Sequence, residues 1–157
     1  LKDLMRVQDA WLLSFFSMHA PRLINDVVVG AGTNTITKKG NQYTITLRKH
    51  KTSKSMGDSV IRLDKSLSEL TGRLIEAGTR LTKSKRLLSA PRGGALSKAN
   101  LSRRLTKITS KTLGRGFSTQ IIRVLKATSQ DPEMKKVREI LSEMGHSLKQ
   151  QQKYVAK

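Results

Sequence analysis

The stretch that decides the fold is TITKKGNQYTITL, residues 35–47. Its two arms are residues 35–37 and 42–47. Both are rich in β-branched side chains, and apolar and polar side chains alternate along them with a period of two, which is typical of strands. Lys39-Gly40-Asn41 separates the arms and predicts a turn, because glycine and asparagine tolerate the backbone conformations that tight turns need. The sequence therefore predicts a β-hairpin.

The segments beside this hairpin complete a small sheet. Residues 60–63 form a third apolar, β-branched run after the polar loop 51–58, and they predict a third antiparallel strand. Residues 27–29 predict a brief extended segment, which Gly30 and Gly32 interrupt.

Helices are predicted both before and after the strands in the sequence. Residues 2–19 place apolar side chains at intervals of three and four and stop at Pro21. Asp64 is a good N-cap for a helix that Gly78 would close. After a loop over residues 79–95, further helices are predicted from Ser97 to near Gly114, from Ser118 or Thr119 to about Leu125, from Asp131-Pro132 to Gly145, and briefly around Tyr154. The first helix would bury Leu4, Val7, Trp11, Phe15 and Met18 on one face.

The expected fold class is thus α+β, mostly helical, with a small antiparallel three-stranded sheet. No internal repeat or low-complexity linker divides the chain. We expect a single domain over residues 1–157, and because the chain begins with Leu1 we expect that domain to be the C-terminal part of a longer protein.

The charge of the chain is strongly positive. It has 31 Lys and Arg against 11 Asp and Glu, a net charge of +20. The cations concentrate in two intervals without acids, residues 27–57 and 77–130, and such a distribution predicts a polyanionic partner, best fitted by a nucleic acid duplex. The expected DNA contacts in these intervals are Lys49, Lys54, Arg92, Lys98, Arg103, Arg104 and Lys107.

Composition also excludes several classes of protein. No apolar run approaches the 18 residues of a membrane span, and no signal segment opens the chain, so we expect neither a membrane protein nor a secreted one. The chain has no cysteine, which fits a reducing, DNA-containing compartment and excludes a thiol nucleophile. We predict no metal site and no cofactor, since no cluster of Asp and Glu offers a two-metal centre.

Five short motifs follow one another along the chain, and their order matters more than any one of them alone. Pro21-Arg22 follows an apolar helix, Lys51-Thr52 lies between two predicted strands, and Ile122-Arg123 lies on a helix. Gly145-His146-Ser147 and then Tyr154 complete the series. In this order and context the chain resembles the catalytic domain of the tyrosine recombinase, or phage integrase, family over essentially its whole length.

The resemblance implies a role for each of these residues. Arg22 and Arg123 would be the two arginines that stabilise the negative charge developing on a phosphate, and Lys51 would be the hairpin lysine that protonates the leaving 5′ oxygen. Lys39, Lys49 and Lys54 stand close enough to compete with Lys51 for that role. His146 would be the second histidine of the family, and Tyr154 the nucleophile that forms a 3′-phosphotyrosine.

Two positions depart from the family pattern. Gln120 stands where the H-x-x-R motif has its histidine, and Tyr154 follows His146 by eight residues, one fewer than is usual. Glutamine can donate a hydrogen bond to a phosphate but cannot titrate near neutral pH, so a positioning role survives and a proton-transfer role does not. The two departures leave two readings open, a divergent active site, impaired where Gln120 replaces the usual histidine, and an inactive relative.

The resemblance further implies double-stranded DNA as substrate, a homotetramer acting on two DNA sites, and a function in integration, excision or resolution of mobile or viral DNA. Two other functions stay open. A noncatalytic basic nucleic-acid-binding module would have much the same composition. A type IB topoisomerase would use the same chemistry to relax DNA as a monomer.

Overall fold

The computed structural model describes residues 1–19, 24–48, 54 and 57–127. It confirms the α+β class, with helices and a small sheet in one chain. The helices are α1 (Lys2–Met18), α2 (Lys65–Thr82), α3 (Lys98–Leu113) and α4 (Thr119–Ala127), and the strands are β1 (Val28–Val29), β2 (Asn34–Lys39), β3 (Gln42–Leu47) and β4 (Ser59–Arg62).

The chain divides into two compact units. The first contains Leu1–Met5 and Leu23–Lys98, and therefore the whole sheet and α2. The second contains Arg6–Arg22 and Ala99–Lys157, and therefore most of α1 together with α4 and nearly all of α3. None of the helices in the described ranges is long and apolar enough to cross a membrane.

The predicted hairpin is present in the first unit. Strands β2 and β3 pair in antiparallel register, with Ile36 opposite Ile45, and β4 adds to β3 with Ile61 opposite Ile45. The turn between the hairpin strands is closed at Gly40, whose φ of +60° is a conformation that glycine adopts without strain. Ile36 and Ile45 are fully buried, so this face of the sheet forms the core of the unit.

The sheet has a fourth strand that the three-stranded prediction lacks. Strand β1 pairs with β2 in parallel, which makes the sheet mixed, and the strand order is β1-β2-β3-β4. The outer edge of β1 is covered by the segment after α2, since Val29 N–H donates to Lys85 O and Leu87 N–H donates to Val27 O. Two residues are too few to produce a recognisable alternation, so the sequence indicated only a brief extended segment here.

Helix α2 packs on the core face of this sheet. Ser68, which is buried, ties the helix to β3, since its hydroxyl accepts a hydrogen bond from Tyr43 N–H at 3.1 Å and donates to Leu63 O at 3.2 Å. Gly72 lies one turn further along, and a side chain there would reach the Tyr43 ring. The apolar stripe Leu67, Leu70 and Leu74 is buried beneath the same surface.

The ends of α2 match the prediction at one terminus and not at the other. Asp64 is the N-cap, as predicted, and its carboxylate accepts a hydrogen bond from Leu67 N–H at 2.7 Å. The predicted end at Gly78 is wrong, because the helix continues to Thr82, whose hydroxyl donates to Gly78 O. Gly78 is buried, so this glycine lies within the packed helix and does not terminate it. The cap is instead Lys83, at φ +52°.

Helix α1 is more deeply buried than its predicted single face requires. From Ala10 to Phe16 every residue except Ser14 is buried, so the second half of the helix is enclosed on all sides. Val7 and Met18, predicted in the core, are only half-buried. Trp11 and Phe15 stack with ring centroids 4.6 Å apart and planes 11° from parallel, which makes them the centre of the second unit's core.

Helices α3 and α4 follow the prediction closely. Helix α3 buries Leu101 and Leu105 and ends before Gly114, as predicted, and Ser118 caps α4 by accepting a hydrogen bond from Ile121 N–H. Thr109, which is fully buried, ties α3 to the loop just before α4, since its hydroxyl accepts from Phe117 N–H at 2.8 Å and donates to Leu105 O. The predicted stop at Pro21, the helix from Asp131-Pro132 and the last short helix lie outside the described residues.

Candidate nucleic-acid interface

One face of α3 carries a row of cations. Arg103, Lys107 and Lys111 are exposed and follow one another at intervals of four residues, so they are about 6 Å apart along the helix axis. In the described part of the chain none of the three forms an ion pair. A row of guanidinium and ammonium groups at this spacing is suited to a linear polyanion.

Hydroxyl groups accompany these cations. Ser102, Thr106 and Ser110 immediately precede the three cations in sequence, and the six side chains line an open groove of about 610 Å³. The loop after α3 approaches the helix at Gly116, where a Cβ would lie 2.7 Å from Thr106 Cγ2. Thr106 donates its hydroxyl to Ser102 O at 2.9 Å within the helix. The groove thus combines positive charge with the hydroxyl groups of Ser102 and Ser110, and cations and hydroxyls both contact phosphate oxygens. We call these six residues the α3 face.

Arg104 lies beside this row, seven residues before Lys111 and so on nearly the same side of the helix, but it has a different environment. Its Nε and Nη2 atoms both lie 2.7 Å from Asp9 Oδ1, and Nη1 donates to Gln8 Oε1 at 2.5 Å. Its side chain is 17% exposed. The pairing connects α3 to α1 within the second unit, so Arg104, predicted as a DNA contact beside Arg103, already has carboxylate and amide partners.

Asp9 is the one carboxylate in the described part of the second unit. Burial raises the pKa of Asp9, and Arg104, followed by Lys111 and Lys107, offsets part of that rise. Because the carboxyl pKa is raised, the folded protein holds the Asp9 proton more tightly than the unfolded chain does, and ionisation of Asp9 disfavours folding. The stability that the protonated Asp9 contributes is therefore greatest at low pH and is lost as the pH rises through the folded-state pKa. Arg104 is the main partner of Asp9, Lys111 and Lys107 contribute less, and all three cations of the row are exposed to solvent.

Two of the six predicted catalytic residues lie together on α4. Gln120 and Arg123 are three residues apart, so they project from the same side of the helix one turn apart. Gln120 is exposed and Arg123 is half-buried. An amide and a guanidinium so spaced can both donate to the oxygens of one phosphate group.

The other predicted catalytic residues, Arg22, Lys51, His146 and Tyr154, lie outside the described residues, as does Lys49. In the sequence, Lys51 falls between β3 and β4, the place that the hairpin prediction gave it. The remaining predicted DNA contacts, Lys54, Arg92 and Lys98, are all exposed. No group of three or more metal-binding side chains occurs in the portion that the structure describes.

Sequence reasoning missed four members of the α3 face. Lys111 belongs to the row because it lies four residues after Lys107, and that helical spacing was the signal that could have identified it. Ser102, Thr106 and Ser110 repeat with the same period. Helical spacing alone does not distinguish Arg104 from the row, since it points about 100° from Arg103 but lies close to Lys111; its pairing with Asp9 does.

Helix α2 provides an instructive contrast. Its exposed positions carry alternating charges, with Lys65, Glu69, Arg73, Glu76 and Arg80 following in that order. A mixed-sign face of this kind is typical of a solvated helix surface. The uniform sign of the α3 face is therefore a property of that helix and does not extend to every exposed helix of the chain.

Comparison with protein-family models, curated proteins and solved structures gives no match to this chain.

Proposed function

We propose that the protein cleaves and rejoins DNA strands through a tyrosine nucleophile, as a site-specific recombinase or integrase does. The observation that carries the proposal is the ordered series from Arg22 to Tyr154, in which Gln120 and Arg123 share one side of α4. The uniformly basic α3 face, which precedes α4 in the same unit, supports a nucleic acid as the partner.

The reaction needs no external energy source. The Tyr154 oxygen attacks a backbone phosphorus, so a Tyr–O–P bond forms while the bond from phosphorus to the 5′ oxygen breaks. Lys51 donates a proton to the departing 5′ oxygen, and His146 assists removal of the phenol proton. The phosphotyrosine keeps the ester bond, so attack by the 5′ hydroxyl of another strand reverses the step and joins new partners.

Arg22 and Arg123 supply the electrostatic part of catalysis in this proposal. Negative charge develops on the nonbridging oxygens as phosphorus becomes five-coordinate, and two guanidinium groups with fixed geometry stabilise that charge. Gln120 donates its amide N–H to the same phosphate. It positions the phosphate and moves no proton, because an amide does not titrate.

We infer that the α3 face holds the DNA backbone while this chemistry takes place. Changing Arg103, Lys107 and Lys111 together to Gln is expected to weaken duplex binding and to lower the slope of log K against log salt by about 2 to 3, since each lost phosphate contact removes about 0.9. Fluorescence anisotropy with a labelled duplex over a series of salt concentrations measures both quantities.

A matched control lies on α2. Lys65, Arg73 and Arg80 are also exposed cations on one helix, and their change to Gln removes the same charge from a mixed-sign face. We expect that variant to alter the salt slope by less than about 1. Equal slopes for the two triple variants would contradict a specific role of the α3 face and would leave only a general effect of net charge.

The reaction itself is tested with a nicked duplex that loses a short 5′ fragment after cleavage. The escaped fragment cannot act in the reverse step, so a covalent protein–DNA adduct accumulates and migrates slowly on a denaturing gel. We expect this adduct on DNA that contains the recombination sites of the mobile or viral DNA on which the protein acts. Binding without adduct would favour the noncatalytic binding module, and relaxation of a supercoiled plasmid by the monomer would favour a type IB topoisomerase.

The proposal includes the finer features that the family resemblance implies. The active assembly is a homotetramer that joins two DNA sites, and the protein works in a DNA-containing compartment. Mass measurement of the protein mixed with a duplex that carries one site tests the assembly, since a complex containing four chains and two duplexes is expected.

A further inference from the structure

The connection between α2 and α3 contains a small hairpin with an arginine at its tip. Ser89 and Ala95 form an antiparallel bridge, Ala90 N–H donates to Gly94 O at 2.9 Å, and Gly93 N–H donates to Ala90 O at 2.8 Å. Pro91 and Arg92 occupy the tip. The sequence analysis described residues 79–95 simply as a loop, whereas this part of the loop has a defined turn, which we call the Arg92 turn (residues 89–95).

Two features fix the Arg92 turn rigidly to the first unit. Leu87, Leu88 and Leu96, on either side of it, are at most 6% exposed. Gly93 has a φ of +83°, and a Cβ there would lie 2.7 Å from Thr82 O at the end of α2. Glycine therefore suits this position for both conformation and close approach, and the turn packs against the end of α2.

The tip of the turn is exposed and slim. Pro91, Arg92, Gly94 and Ala95 are all exposed, and a Cβ on Gly94 would have no atom within 4 Å. Arginine is the one large side chain among them. The adjoining segment adds the exposed cations Lys83 and Lys85, and no acid occurs between Glu76 and Asp131.

From this arrangement we propose that the Arg92 turn inserts Arg92 into the DNA minor groove at A·T-rich steps. This inference rests on the proposed function only because it takes duplex DNA as the ligand. The minor groove is about 6 Å wide, too narrow for a helix but accessible to a proline-glycine turn with one extended side chain. A·T tracts narrow the groove further and strengthen its negative potential, which attracts arginine. The guanidinium donors meet the adenine N3 and thymine O2 acceptors on its floor. Lys83 and Lys85 then contact the flanking phosphates.

The test compares binding to two duplexes of equal length, one with a central A-tract and one of G·C pairs, by fluorescence anisotropy. We expect the unmodified protein to bind the A-tract duplex about fivefold more tightly, and Arg92→Ala to bind the two equally. Lys98→Ala, which removes one exposed cation from the same unit, is the matched control and is expected to weaken both complexes while keeping the preference. A small minor-groove ligand added in excess is expected to remove the preference of the unmodified protein.

Three outcomes would overturn the proposal. The unmodified protein could bind both duplexes equally, or the preference could survive in Arg92→Ala. In the third outcome Arg92→Ala loses affinity equally for both duplexes and its salt slope is smaller by about 1, which is the behaviour of a phosphate contact. An A-form RNA duplex of A·U pairs gives a further check. Its minor groove is wide and shallow, so Arg92→Ala should leave the relative affinity for A·U and G·C RNA unchanged. These measurements are of binding alone, so failure of the adduct reaction would leave them standing.

Discussion

Replacing Tyr154 with phenylalanine is expected to abolish the covalent adduct on the nicked duplex while duplex affinity stays nearly unchanged. The variant lacks one oxygen, the atom that would attack the phosphorus in the proposed reaction, and no other change in size or charge accompanies its loss. Binding depends on phosphate contacts made by cations, which the substitution leaves in place. A denaturing gel gives the adduct yield, and anisotropy at the same salt concentration gives the affinity.

The chain offers a matched control for this experiment because it contains two tyrosines. Tyr43 lies on β3, where its ring packs beside Gly72 and lies 5.6 Å from Lys38 Nζ. Tyr43→Phe removes the same oxygen from a structural position and is expected to keep full adduct yield. An adduct that persists in Tyr154→Phe, or one that disappears equally in Tyr43→Phe, would contradict the assignment of the nucleophile.

Truncating Trp11 to alanine is expected to lower the free energy of unfolding by about 3 to 5 kcal/mol, the range found when large aromatic side chains are removed from a core. Trp11 is fully buried and stacks on Phe15, so the change leaves a cavity at the centre of the second unit's core. Since domains are commonly stable by about 5 to 15 kcal/mol, the variant would lose a large share of its stability.

Trp11 is also the only tryptophan of the chain, so circular dichroism in a denaturant series should replace tryptophan fluorescence as the readout. Val124, which is 55% exposed on α4, provides the comparison. Val124→Ala is expected to change stability by no more than about 0.5 kcal/mol. Similar midpoints for Trp11→Ala and the unmodified protein would show that the α1 aromatics are not the core of their unit.

Local signals in the sequence predicted much of this fold. The hairpin follows from the alternation of residues 35–47 and the glycine in its turn, and both features act within a few residues. Asp64 was identified as a cap, and Ser118 as one of two candidates, because a short polar side chain before an apolar periodic run satisfies the first backbone N–H groups of a helix.

The features that sequence reasoning missed depend on contacts between distant segments. Strand β1 is held by β2 and by residues 85–87, and a two-residue strand has no pattern of its own. The extension of α2 beyond Gly78 depends on packing that overrides the low helix propensity of glycine. The burial of α1 from Ala10 to Phe16, at every residue except Ser14, likewise requires partners that a periodic pattern cannot specify.

The candidate site likewise has parts that local sequence signals predicted and parts that depend on distant contacts. Charge counting identified the acid-free interval that contains α3, and helical spacing could have selected Arg103, Lys107 and Lys111 within it. That Arg104 pairs with Asp9 could not be predicted, because the two residues are separated by most of the chain. Gln120 and Arg123 were identified from a motif spacing of three, which on a helix is sufficient to bring two side chains together.

The backbone hydrogen bonds between β1 and residues 85–87 have a consequence for the order of folding. They close a long loop from Val27 to Leu87, whereas the β2–β3 hairpin closes over two residues. Closing a longer loop costs more chain entropy, so the hairpin can form early, and the outer hydrogen bonds of β1 form only after α2 has brought Lys85 and Leu87 back to it. In pulse-labelling hydrogen exchange, the amides of the hairpin should therefore become protected before those of Val29 and Leu87.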